Sequence, residues 1–201
     1  MTNPDVIDLS QLTTGDTPCF GGKATHLAAL VRDGVLVPPG FAISSRAFQR
    51  FIDHHKLLTR INVLLKAAEG DERLEADHLT ELRTLIRETP LLPELSEALH
   101  AAYGRLRGTG REFPVAVRSS ARSEDSSDAS FAGQYDSVLN VQGFDALCDA
   151  VREVWASYFA DRAVRYRRQR RQTRFGFDMG LLVQAMVDAK VAGVLFTVNP
   201  M

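Results

Sequence analysis

Phe113-Pro114-Val115-Ala116-Val117 runs directly into Arg118-Ser-Ser-Ala-Arg-Ser-Glu-Asp-Ser-Ser-Asp-Ala-Ser130, and the change of character at Arg118 organises the chain around it. The first piece reads as a short apolar strand, and the second as a polar loop with neither a helical nor a strand period. Past Phe131-Ala-Gly133, residues Gln134 to Val141 alternate like a strand, with Tyr135, Ser137, Leu139 and Val141 on one side. Before it, the pattern from Leu57 to Leu106 is helical: Leu79, Leu82 and Ile86 share one face, and Leu95, Leu99, Ala102 and Leu106 share another. Pro90 and Pro93 separate the two. The chain is therefore expected to be α+β, with a mostly helical part over 1–108 and a sheet-rich part over 109–201. The tract from Gly104 to Glu112 serves as the connection.

Outward from this junction, further elements follow. Residues 1–20 read as extended and then looped. A helix is expected just after Gly21-Gly22, with Ala24, Leu27, Ala28 and Val31 on one face, stopping near Gly34. Pro38-Pro39-Gly40 feeds a strand from Phe41 to Ser44, and Ser45 is the candidate N-cap of a helix carrying Phe48, Phe51 and Ile52. A long helix is expected through Phe144, Leu147, Cys148, Val151, Val154, Trp155, Tyr158 and Phe159. Two strands, Leu181 to Val187 and Val191 to Val198, are joined by Asp188-Ala-Lys190.

The bulk properties remove whole classes of function. A net charge of −1 supplies no global field toward nucleic acid or an anionic membrane. No apolar run is long enough to span a bilayer, and the N-terminus lacks the basic and then apolar segments of a signal peptide. A cytoplasmic location is expected. Cys19 and Cys148 form no metal-ligand cluster, and Cys148 lies on an apolar helical stripe, as a reduced core residue would. His26, His54, His55, His78 and His100 show no ligand pattern. The run Arg165-Tyr-Arg-Arg-Gln-Arg-Arg171 reads as a solvated helix end, where cations are favoured by about 0.3–1 kcal/mol each. It has too little aromatic interleaving for a nucleic-acid patch.

Two segments carry candidate chemistry. Gly21-Gly22-Lys23 before a helix suits an anion, since glycine admits the backbone and a helix N-terminus favours negative charge. The plainer reading of such a pair is a turn. It is not the P-loop, which would need Gly where Thr17 stands and Ser or Thr where Ala24 stands. Arg118, at the end of a strand, offers a planar fork suited to phosphate oxygens. The alternative is an ion pair with Glu124 or Asp125. The loop from Ser119 to Ser130, followed by Gly133, fits either a phosphate cover or an inert solvated loop.

Taken together, these segments resemble one family. Gly21-Gly-Lys-Ala-Thr-His-Leu27 and Val37-Pro-Pro-Gly-Phe41 are similar to the opening of phosphoenolpyruvate synthases, pyruvate phosphate dikinases and rifampicin phosphotransferases. Val115-Ala-Val-Arg-Ser-Ser-Ala121, Glu124-Asp125, Asp128-Ala-Ser-Phe-Ala-Gly-Gln134 and Leu139-Asn-Val141 resemble that family's nucleotide loop. Val183-Gln-Ala-Met-Val187 and Gly193-Val-Leu-Phe-Thr-Val-Asn-Pro200 resemble its adenine-side strand and the next one. The resemblance runs from residue 15 to 201. It implies an ATP-grasp fold, here incomplete, with ATP as ligand. By position, Lys23 and Arg118 would contact phosphates, the backbone at Gly133 and the hydroxyl of Ser137 would line the phosphate loop, and Gln184 with the backbone from Ala185 to Val187 would hold the adenine edge. Position 137 is often threonine in such enzymes, and Arg122 and Ser123 stand where Thr and Ala are common.

The resemblance also implies what lies beyond the matched segments. Mg2+ is expected in the full-length enzyme, with ligands outside this chain, as are the phosphorylated histidine and the pyruvate-binding domain. Uncovered apolar surface is expected around Val191 to Val198, and the isolated chain is expected to bind ATP weakly and not to turn it over. Three readings stay open: the ATP-binding portion of a phosphoenolpyruvate-synthase-like enzyme that phosphorylates pyruvate through a histidine, the same portion of a rifampicin phosphotransferase, or a non-catalytic nucleotide- or partner-binding remnant. A fragment, a truncated gene product and one piece of a split enzyme with a separately encoded downstream phosphohistidine and substrate domain all fit.

Overall fold

The computed structural model describes residues 4–67, 72–107, 114–121, 135–169 and 176–193. In chain order the elements are β1 (Val6–Asp8), α1 (Thr17–Arg32), β2 (Gly40–Ile43), α2 (Ser45–His54), α3 (Leu57–Ala67), α4 (Glu72–Glu88), α5 (Pro93–Arg107), β3 (Val115–Ala121), β4 (Ser137–Val141), α6 (Phe144–Ala156), α7 (Asp161–Gln169) and β5 (Met179–Ala185). The five strands form one antiparallel sheet in the order β1-β2-β5-β3-β4. The class is α+β, with a helix-rich first part and a sheet-rich second part, as the sequence implies. The sheet also takes β1 and β2 from the first part, where β2 pairs with β5.

The sheet has two buried faces built by alternation along each strand. On one, Phe41, Val183 and Val117 stand in a cross-strand row and pack into a large core with Phe48 and Phe51 of α2 and Val154 and Trp155 of α6. Phe48 and Trp155 stack with ring centroids 5.0 Å apart. Leu79, Leu82 and Ile86 of α4 and Leu95, Leu99 and Ala102 of α5 join the same core, so the helical stripes expected from spacing are the buried ones. Each fully buried side chain of this size contributes about 1.5–3 kcal/mol. The other face is smaller: Phe20, Ala24 and Ala28 of α1 cover Ala42 and Leu182, with Leu9 and Leu12 beside them.

Several local expectations change. The helix cap before α2 is Ser44, not Ser45: its hydroxyl accepts from Ala47 N at 3.2 Å. β3 continues through Arg118, Ser119 and Ser120 to Ala121, where a loop was expected, because β5 pairs with it along its whole length. In β4 the simple alternation fails. Ser137 and Leu139 are exposed, whereas Val141 is buried, because a register irregularity and a left-handed Asn140 (φ 59°) turn the strand over. The last described strand ends at Ala185, not Val187, and Val191 to Gly193 have no regular structure. The rest of the strand expected through Val198 lies outside the described residues. Val187 and Val191 are 62% and 89% exposed.

The basic run is also not a simple solvated helix end. Arg167 is 4% exposed, lies over the Tyr158 ring at 4.0 Å, and donates to the Tyr158 carbonyl. A guanidinium stacked on an aromatic face tolerates burial better than an ammonium would. Burial pushes the Tyr158 phenol up to about 12, against the pull of Arg167. Arg168 pairs with Glu75 of α4.

Candidate functional site

The register of the sheet assembles the candidate residues. Arg118 of β3 stands directly opposite Leu182 of β5 on one side and Ser137 of β4 on the other. Leu182 in turn faces Ala42 of β2, so Ala42, Leu182, Arg118 and Ser137 form one row across four strands. The first two are buried under α1, while Arg118 and Ser137 are exposed. The row thus passes from apolar to polar as it leaves the shelter of α1. One step along β5, about 6–7 Å for two strand residues, Gln184 lies on the same face opposite Ala116 and Gly40.

Lys23 reaches this face from α1. Its Nζ donates to the carbonyl of Ser119 at 3.2 Å, one residue from Arg118. The placement depends on a break in α1: Gly21 has φ 77° and ψ 168°, so the helical segment carrying Lys23 begins anew at Gly22. A Cβ at residue 21 would sit 1.9 Å from the carbonyl oxygen of Ser120. Only glycine meets both demands, the left-handed backbone and the contact with β3. Thr25, also buried, donates toward the carbonyls of Gly21 (3.1 Å) and Gly22 (3.2 Å), and the Ser120 hydroxyl bonds to both sides of the break.

Of the sequence-derived candidates, the fold brings Lys23, Arg118, Ser137 and Gln184 to one face of the sheet. Gly133 lies outside the described residues, as do Glu124 and Asp125, the alternative partners of Arg118. Among the described residues no carboxylate pairs with Arg118; the ion pairs bind other arginines, including Arg87–Glu153 and Arg105–Asp8. Gln184 is buried, and its amide nitrogen donates to the Pro38 carbonyl at 3.0 Å. That bond fixes the side chain at the point where β5 leaves the sheet. Beyond it, Ala185 N and Met186 N donate to Pro39 O and Pro114 O, both at 2.9 Å. Ser120 and Thr25 were not singled out from the sequence. The serine run has no strand period of its own, and only the length of the β5 ladder shows that it is strand.

A cavity of about 310 Å³ lies elsewhere, between Val31, Val37, Pro38, Pro39, Leu106 and Arg105. None of the candidate residues lines it, and its one cation is already paired with Asp8 at 3.2 Å. Arg118, an exposed cation with no carboxylate partner among the described residues, lies beside a second cation and a hydroxyl and is the better match to an anionic ligand. Among the described residues, no group of three or more His, Cys, Asp or Glu is placed to hold a metal ion. The candidate face offers two cations, a hydroxyl and an amide, which is not a donor set for magnesium. No helix among the described residues is long and apolar enough to cross a membrane.

The model of the pyruvate phosphate dikinase AMP/ATP-binding domain matches residues 17–201. The chain belongs to that family. The family's members include curated relatives of similar closeness. A probable phosphoenolpyruvate synthase of Staphylothermus marinus is 38% identical over 97% of this chain, and the phosphoenolpyruvate synthase of Escherichia coli is 39% identical over 98%. A rifampicin phosphotransferase of a Streptomyces species is 38% identical over 97%. The chain spans 24%, 26% and 22% of these three proteins, about a quarter of their length. The AMP/ATP-binding assignment agrees with an α+β, ATP-grasp-like architecture whose cationic candidates share one sheet face.

Proposed function

We propose that this chain is the ATP-binding portion of a phosphoenolpyruvate-synthase-like phosphotransferase, which passes phosphate from ATP to a histidine and then to pyruvate. The observation that carries the reading is the convergence of Lys23, Arg118 and Ser137 at the open end of the α1 face. In this reading Lys23 and Arg118 neutralise the phosphates, while the Ser137 hydroxyl and the Gly133 backbone line the phosphate loop. Gln184 holds the adenine edge. Because Ala185 N and Met186 N are engaged with Pro39 and Pro114, the remaining contacts of that edge fall to the rest of the segment through Val187. Magnesium would supply charge neutralisation for phosphoryl transfer, and because Lys23, Arg118, Ser137 and Gln184 are not a donor set for it, its ligands would come from other residues. ATP as the donor suits a cytoplasmic protein.

Titration calorimetry of the 201-residue chain with ATP and magnesium tests the site. A charged hydrogen bond contributes about 1.5–3 kcal/mol, so Lys23→Ala and Arg118→Ala should each weaken ATP binding roughly 10- to 100-fold. An unchanged affinity removes that residue from the site. Rifampicin as the final acceptor is the second reading, favoured by the 38% identity to the antibiotic phosphotransferase, level with that to the synthase of Staphylothermus. Assaying a full-length protein that contains this portion with pyruvate and with rifampicin separates the two.

A further inference from the structure

We propose that Ser120 is a positioning residue for the phosphate end of this site, fastening the break in α1 to the strand that carries Arg118 and so holding Lys23 and Arg118 as a pair. The inference rests on the ATP reading above. In an unbroken helix the amide of residue 24 would donate to the carbonyl of residue 20. Here the Ser120 hydroxyl stands between them: it accepts from Ala24 N at 3.1 Å and donates to Phe20 O at 2.8 Å. A side chain inserted into the helical ladder is a recognised cause of a kink. In this case the inserted group comes from a sheet strand and not from the helix.

The surroundings are shaped for this insertion. Ser120 is 0% exposed. Gly21 supplies the positive φ and lets the Ser120 carbonyl approach. Gly180, opposite Ser120 in the ladder, has Phe20 O only 3.0 Å from where a Cβ would stand. The two cations flank the fastening: Lys23 precedes Ala24 directly, and Arg118 lies two residues before Ser120 on the same face. Lys23 makes a second tie through the Ser119 carbonyl. The lost helical bond is thus converted into a cross-link between the two elements that carry the positive charges.

Amide exchange and ATP affinity test the proposal together. In the wild-type chain the Ala24 amide should exchange slowly, although its helical acceptor is lost; exchange at the rate of an unprotected amide overturns the proposal and needs no variant. Ser120→Ala should speed exchange at Ala24 at least 10-fold beyond any global change and weaken ATP binding about 10-fold. Ile86→Val, in the large core on the other face of the sheet, serves as a control for general destabilisation and should keep wild-type affinity. Unchanged Ala24 exchange in Ser120→Ala, or a loss of ATP affinity no greater than in Ile86→Val, overturns the positioning role. If Lys23→Ala and Arg118→Ala leave ATP binding intact, the ATP reading falls instead, and the exchange data still decide whether Ser120 holds the break.

Discussion

On one face of the sheet, Phe41, Val183 and Val117 form a row that α2 and α6 seal from water. On the other, Ala42 and Leu182 lie under α1, and the same row ends in exposed Arg118 and Ser137. The strands are shared, and so is the backbone ladder. The faces differ in what their side chains do: the first gains free energy by removing apolar area from water, whereas the second leaves Arg118 and Ser137 exposed in one row, with Lys23 of α1 tied to the neighbouring Ser119 carbonyl. Stability and ligand recognition should therefore separate by face, except where backbone itself is packed.

The largest effect is expected on the sealed face. Trp155 is 0% exposed and stacked on Phe48, so Trp155→Ala should cost about 3–5 kcal/mol in a denaturant titration. A loss below about 1 kcal/mol would mean that this core is not continuous. Gly21→Ala should break the division, because it lies on the α1 side and yet is packed against backbone. The left-handed conformation alone costs about 1–3 kcal/mol, and the contact with the Ser120 carbonyl adds to it.

Smaller effects lie on the surface of the sealed side. Glu153 of α6 accepts from Arg87 of α4 at 2.5 and 2.8 Å, and this hydrogen bond holds its carboxyl below the usual carboxylate range. A folded carboxyl with a lowered pKa stabilises above its unfolded pKa, and that stability is lost as pH falls through the acidic range. The pair is partly exposed, so about 0.2–1 kcal/mol is expected. Glu153→Gln should remove that part of the acid sensitivity and leave neutral-pH stability lower by no more than this. The smallest change in stability should come from Arg118→Ala, within about 0.5 kcal/mol, although the same variant is predicted to bind ATP more weakly. A stability loss above 1 kcal/mol would show that Arg118 holds the fold and sharpen the comparison against the proposed role.

Much of the fold was legible because apolar spacing decides burial. Leu79, Leu82 and Ile86, or Leu95, Leu99 and Ala102, fall at helical intervals, and nothing in the tertiary structure overrides them. Ser119 and Ser120 were not legible, since small hydroxylic residues carry no period of their own. Their strand conformation is imposed by β5, a partner distant in sequence. Arg167 was hidden for a similar reason: its burial depends on Tyr158 and Tyr135, which the sequence does not place beside it. The candidate site was partly legible. Lys23, Arg118, Ser137 and Gln184 could be named one by one from motif resemblance, but their common face follows only from register. The Asn140 irregularity, which turns β4 over, leaves no trace in the alternation.

β5 has one more consequence, and it concerns synthesis. It is described last among the strands, yet it lies in the middle of the sheet, pairing Gly40 with Gln184 on one edge and Val115 with Ala185 on the other. Until the ribosome has delivered it, the β1–β2 and β3–β4 pairs have no strand to join them, and the inner edges of both stand open. Unpaired edges of this kind attract other strands, and long-range pairing is slow to form. The described sheet of a nascent chain can therefore close only once β5 has emerged, and the inner edges of the two pairs stay exposed to other strands until then.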